Sequence, residues 1–147
     1  MSEANKRVVR RLIEELWNQN NPSVVEELFT PNYTHHDPST SDFGRGPQSE
    51  VKRMNLYRGA FPDLRITVEN IISESDTVMA RWSCHATHKG ELNGIAPTGK
   101  TIDITGISVV RLSGGKLAEG WVQWDTLGML QQLGVIPKQV RAKAAGS

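Results

Sequence analysis

With 147 residues, 37% of them hydrophobic and 22% charged, the chain has the size and composition of one globular domain with its own core, spanning 1–147 with an ordered part of about 3–136. Its 17 Lys and Arg against 16 Asp and Glu leave a formal net charge of +1, which speaks against a nucleic-acid or anionic-membrane surface as partner. Cys84 is the only cysteine, so neither an intrachain disulfide nor a Cys-based zinc site can form, and a reducing cytoplasm is the expected compartment. The opening MSEANKRVVRR lacks the apolar core of a signal peptide, and no apolar run reaches the roughly 18 residues that a membrane span needs.

Val9, Leu12, Ile13, Leu16 and Trp17 recur at helical spacing, predicting an amphipathic helix over 3–19 with Lys6, Arg7, Arg10 and Arg11 on its solvated side. Asn21 and Pro22 read as cap and first position of a shorter helix carrying Val24, Val25, Leu28 and Phe29, ended by Pro31. Gly46 and Pro47 open a third helix that runs to about Ala60, ahead of the Phe61, Pro62, Asp63 break. Trp17, Leu28 and Met54 are expected in the core.

Beyond Asp63 the period changes to alternation, first over Leu64, Ile66 and Val68, then over Val78, Ala80, Trp82, Cys84 and Ala86 after a turn at Glu74, Ser75 and Asp76. Two further strands, from about Thr101 to Leu112 and from Lys116 to Asp125, are joined at Ser113, Gly114 and Gly115. Thr126 to Leu133 reads as a short closing helix stopped by Gly134. Helices first and antiparallel strands after indicate an α+β fold: a curved, antiparallel-rich sheet packed on three N-terminal helices around a single, mostly apolar pocket.

Several strings, in order along most of the chain, resemble the SnoaL-like polyketide cyclases, within the cone-shaped superfamily that includes ketosteroid isomerase. They are Tyr33, His36, Asp37 and Pro38; Phe61, Pro62 and Asp63; Thr87, His88, Gly90 and Glu91; Gly94, Pro97, Thr98, Gly99 and Lys100; Gly115, Lys116, Glu119 and Trp121; and Asp125, Leu127, Gln132, Leu133 and Gly134. The resemblance implies a sheet closed by three helices, no metal or organic cofactor, and a homo-oligomer, dimer or tetramer, paired through the outer sheet face where Arg81, Ser83 and His85 alternate outward. It also implies intramolecular aldol closure of a polyketide ester, with Asp125, matching the family aspartate after the last strand, as acid/base.

A free aspartate, of pKa about 3.9, is a poor base unless an apolar site raises it; Trp121 and Trp124 are the expected apolar company. Asp125 has an alternative role as N-cap of the helix that follows. His36, rather than His35, is expected in the pocket beside it as second catalytic residue. Gln123 and Trp121 alternate onto the same strand face as Asp125, and with His88 at the rim and Tyr33 complete the expected substrate-binding set. Arg111 and Glu119 pair across the hairpin if its loop has three residues and separate if it has two. His35, His36 and Asp37 are sequence neighbours that diverge along a strand, so no metal site is expected. The expected partner is a small hydrophobic or polycyclic molecule. Rival readings are cofactor-free hydroxylation, isomerisation, dehydration, epoxide hydrolysis using Asp103 as a second carboxylate, or a binding module without chemistry.

Overall fold

The computed structural model describes residues 2–40 and 42–137; Met1, Ser41 and the 138–147 end of the expected domain lie outside the described residues. Helix α1, Ser2–Arg11, continues without a break into wider π-helical turns over Leu12–Asn18, which keep Leu12, Ile13 and Leu16 buried. Asn21 then accepts a hydrogen bond from the Ser23 amide at 3.2 Å, capping a 3₁₀ turn, Pro22–Val24, that leads into α2, Val25–Leu28. Strand β1 takes up Phe29–His36, where the helix was expected to extend through Phe29. It is an edge strand, which is why Pro31, lacking an N–H, is tolerated within it.

Helix α3, Pro47–Ala60, starts and stops where Gly46, Pro47 and the Phe61 break place it. Four strands follow: β2, Arg65–Glu74; β3, Thr77–Thr87; β4, Thr101–Ser113; and β5, Lys116–Trp124; helix α4, Thr126–Gln132, closes the described chain. The sheet order is β1-β5-β4-β3-β2, antiparallel except for the β1–β5 pair. No helix among the described residues is long and apolar enough to cross a membrane.

One apolar cluster joins α1, its π-helical extension and α2 to Phe29, Tyr33, Val78, Val110 and Leu117; a second joins Phe61, Leu64, Cys84, Ile102 and Ile104 to Met129 and Leu133. Each large side chain so removed from water contributes about 1.5–3 kcal/mol.

The β4–β5 hairpin turns on Gly114 and Gly115 alone, both at positive φ (58° and 80°), where glycine carries no Cβ penalty. A two-residue loop would separate Arg111 from Glu119, yet they are register partners and their side chains meet at 3.4 Å. The cause is a bulge: Leu112 pairs with Leu117 and Arg111 with Glu119, leaving Ala118 as an extra residue in β5. Leu117 is inside, but beyond the bulge the even residues, Gly120, Val122 and Trp124, turn toward the helices.

Candidate active site

Between the helices and the concave sheet face lies a cavity of about 120 Å³. Leu12, Ile13, Leu64, Ile66, Ile104 and Val122 supply its apolar lining, with Trp17, Trp82, Trp124 and Tyr57 as aromatic walls. Cys84 also lines it, and burial pushes its thiol up to about 12, so it is an apolar wall and no nucleophile. Trp82 Nε1 donates to Ser108 Oγ at 3.0 Å across β3 and β4.

The polar end is built by two elements. Strand β1 and the residue after it present Tyr33, His35 and Asp37 inward at alternate positions, and the first turns of α3 present Glu50 and Arg53. The Glu50 carboxylate pairs with Arg53 Nη1 and accepts from Trp17 Nε1 at 3.3 Å; both charged residues are almost fully buried. The Tyr33 hydroxyl lies 2.9 Å from His35 Nδ1. Burial lowers the imidazole's pKa, more than the nearby Glu50 raises it, and so favours the neutral ring. Burial, then the Asp37 charge, raises the Tyr57 phenol above its ordinary range. Asp37 Oδ1 accepts from the Ser39 amide at 2.8 Å, and Oδ2 faces Trp124 Nε1 at 3.4 Å.

The cavity opens past His35, Asp37, Arg53 and Val122 into a groove of about 480 Å³, further lined by His36, Pro38, Trp121 and Gln123. His36 stacks on Trp121 with ring centroids 5.3 Å apart and bonds Glu119 at 2.8 Å. Three expected residues therefore do meet, but outside the cavity mouth. The bulge at Ala118 turned Trp121 and Gln123 away from the chamber, and strand alternation puts His36 opposite Tyr33 and His35.

Asp125 is corrected in position as well. It lines an outer depression with Arg81, Thr105 and Gln123, and its Oδ1 accepts from the Gly128 amide at 2.9 Å, capping α4. His88 is fully buried, accepting from the Thr98 amide at 3.2 Å and packing on Phe61; it pins the loop before β4 and lines no part of the cavity. Tyr33 is buried behind His35, a support for the site more than a wall of it. The residues that sequence reasoning undervalued are His35 and Asp37. The signal was available, since a buried Tyr33 carries positions 35 and 37 to its own side. Among the described residues no three His, Cys, Asp or Glu side chains are grouped to hold a metal ion.

Gly106 in β4 lets the two tryptophan walls close together: a Cβ there would lie 2.4 Å from Trp82 Cζ2 and 2.8 Å from Trp124 Cβ. Gly106→Ala is expected to cost about 1–3 kcal/mol of stability through overpacking. Thermal melting measures the loss, and a shifted tryptophan emission reports displaced indoles; an unchanged melting temperature would show that the walls yield freely.

The profile of the SnoaL-like polyketide cyclase family matches residues 7–133. Aklanonic acid methyl ester cyclase AcmA of Streptomyces galilaeus is 29% identical over 129 residues, covering 86% of this chain and 88% of that protein. Among solved structures, AclR of Streptomyces galilaeus, described as a candidate hydroxylase, aligns with a TM-score of 0.82 at 28% identity over 99% of this chain and 92% of its own. A candidate polyketide cyclase of Acidithiobacillus ferrooxidans aligns with a TM-score of 0.81 at 30% identity, over 89% and 94%. With a helix-capped curved sheet, an aromatic-walled chamber and a family profile covering most of its length, the chain belongs to the SnoaL-like polyketide cyclase family.

Proposed function

We propose that the protein closes a ring in a polyketide-like ester by acid/base catalysis, without a cofactor, and that Asp37 transfers the proton. One observation carries this reading: Asp37 and Glu50 are the two carboxylates lining the cavity, and Glu50 is neutralised by Arg53. Asp37 is left to take a proton from the carbon between two substrate carbonyls. The carbanion attacks a ketone carbon in the same molecule, a C–C bond forms, and the new alkoxide takes the proton back, so substrate and product have equal mass. The lining of the chamber is mostly apolar, and general acid/base catalysis of this kind supplies about a hundred- to ten-thousandfold.

The chamber alone is smaller than the roughly 300 Å³ at which ligand sites begin, so a fused-ring substrate reaches through the mouth into the groove. There the His36–Trp121 stack and Gln123 bind its outer part. Epoxide hydrolysis gains no support from Asp103, whose carboxylate sits on the exposed sheet face, 2.7 Å from His85. A reducing, cytoplasmic setting suits a buried, unpaired cysteine. Incubation with a polyketide methyl ester of the kind named for AcmA tests the reading: liquid chromatography should separate a product whose mass equals the substrate's, and conversion with a change of mass would redirect it to another reaction.

A homodimer through the outer sheet face belongs to this proposal. Ile72, Met79 and Val109 are successive register partners across β2 to β4, and Ile72 and Met79 are 60% and 41% exposed. Light scattering should give twice 16.3 kDa, falling to the monomer in Ile72→Lys/Met79→Lys; a wild-type monomer would refute the pairing.

A further inference from the structure

Among the described residues three buried side-chain nitrogens have no hydrogen-bond partner: His35 Nε2, Arg53 Nε and His88 Nε2. Two of the three belong to side chains that line both the cavity and the groove at its mouth. Buried polar atoms are rarely left unsatisfied, and each one costs free energy until an acceptor arrives.

The proton on His35 can be placed. The Tyr33 hydroxyl is buried, and among the described residues its one hydrogen-bond partner is His35 Nδ1. If His35 donated across this contact, both the Tyr33 hydrogen and the Nε2 lone pair would lack partners. With Tyr33 donating, only an Nε2–H is left over, which is the smaller deficit. Glu50 Oε1 lies 3.9 Å from the same Nδ1, beyond hydrogen-bond reach, and is engaged by Arg53 Nη1, so it does not satisfy an Nδ1–H; the count favours neutral His35 with its proton on Nε2 and Tyr33 as the positioning residue. Arg53 Nε is likewise a donor, since the guanidinium reaches Glu50 through Nη1. The unsatisfied groups on this wall are thus both donors, and they call for an oxygen acceptor.

We propose that His35 Nε2–H and Arg53 Nε–H form an oxyanion site that receives an enolised carbonyl oxygen of the substrate, with Tyr33 setting the His35 tautomer. This deepens the cyclase reading and rests on it for the identity of the oxygen. It selects substrates that enolise, such as 1,3-dicarbonyl compounds, because a donor pair gains most when the acceptor acquires charge.

The probe is 2-naphthol, whose absorbance separates phenol from phenolate and which mimics an enolate oxygen. It is bound to the Asp37→Asn protein, so that the one cavity carboxylate not paired with Arg53 cannot compete for its proton, and the phenolate fraction is read at one fixed pH. His35→Phe should lower the bound phenolate-to-phenol ratio about tenfold or more, the scale of one hydrogen bond to a charged group. The neutral pair Glu50→Gln/Arg53→Met should lower it as well. Independently, imidazole ¹⁵N shifts in the unaltered protein should show Nε2 protonated and Nδ1 bare, and Tyr33→Phe should abolish that preference.

An unchanged ratio in His35→Phe, no naphthol binding at millimolar concentration, or a proton on Nδ1 would each overturn the proposal. Neither readout needs turnover. If no ester is cyclised while naphthol still binds as phenolate, the cyclase reading fails and the donor site stands.

Discussion

Replacing Asp37 with Asn lowers turnover of any accepted ester by about a hundred- to ten-thousandfold, the contribution expected of a lost general base, with little change in melting temperature. Asparagine preserves the size of the side chain and, through its one carbonyl oxygen, the 2.8 Å contact with the Ser39 amide; its NH2 cannot accept from the Trp124 indole, so the long 3.4 Å contact is given up along with the titrating group. Asp125→Asn serves as the comparison, because the resemblance pointed to that residue. Its carboxylate caps α4 at Gly128 and lines an outer depression, so the Asn variant should keep most activity. Asp125→Ala should cost about 1 kcal/mol of stability through the lost cap. Steady-state rates and melting curves on the three variants settle the assignment. If Asp37→Asn kept full activity and Asp125→Asn lost it, the proton transfer would return to Asp125, and the chamber geometry would have to change during turnover to admit it.

The largest stability effect is expected at Arg53. Its partner Glu50 is 3% exposed, held by Arg53 and the Trp17 indole. Arg53→Met strands the carboxylate there, and removing one member of a buried ion pair costs about 3–5 kcal/mol. For a chain of this length that corresponds to a fall in melting temperature on the order of 10 °C. Adding Glu50→Gln removes the stranded charge and should restore most of the loss, because desolvation of both ions offsets much of their attraction. Thermal unfolding of the single and double variants decides the matter; equal losses in both would mean that the pair acts through packing alone.

Most of the fold was legible in the sequence because its signals were local. Gly46 with Pro47 marks the start of α3, and alternation over Val78 to Ala86 marks β3 with the correct inward face. The start of strand β1 was not legible, since Phe29 continues the helical spacing of Val25 and Leu28, and Pro31 masks the strand that begins there; only its end, around His35 and His36, was read as strand. The site was half legible. Tyr33, His36 and Asp37 were recognised as one segment, but placing Tyr33 and His36 in the same pocket breaks the two-residue period of a strand. For β5, no local signal announces that Ala118 will be left unpaired, because a bulge is set by the register against β4 and by how the sheet must bend. Every assignment that depended on parity beyond that point was therefore reversed.

The extra residue at Ala118 has an implication for how such a chamber changes over time. Strand β5 carries two sets of wall on one stretch of sequence, an indole and a valine on the even side, an amide and an exposed indole on the odd side. Which set faces the substrate is decided by whether one residue upstream is paired. Loss of a single codon near the hairpin would exchange the two sets at once and leave β2, β3 and β4 where they are. New chemistry in this scaffold is thus open to a change of length as well as to the slow replacement of side chains, and two relatives aligned residue by residue can present opposite faces of the same strand to their substrates.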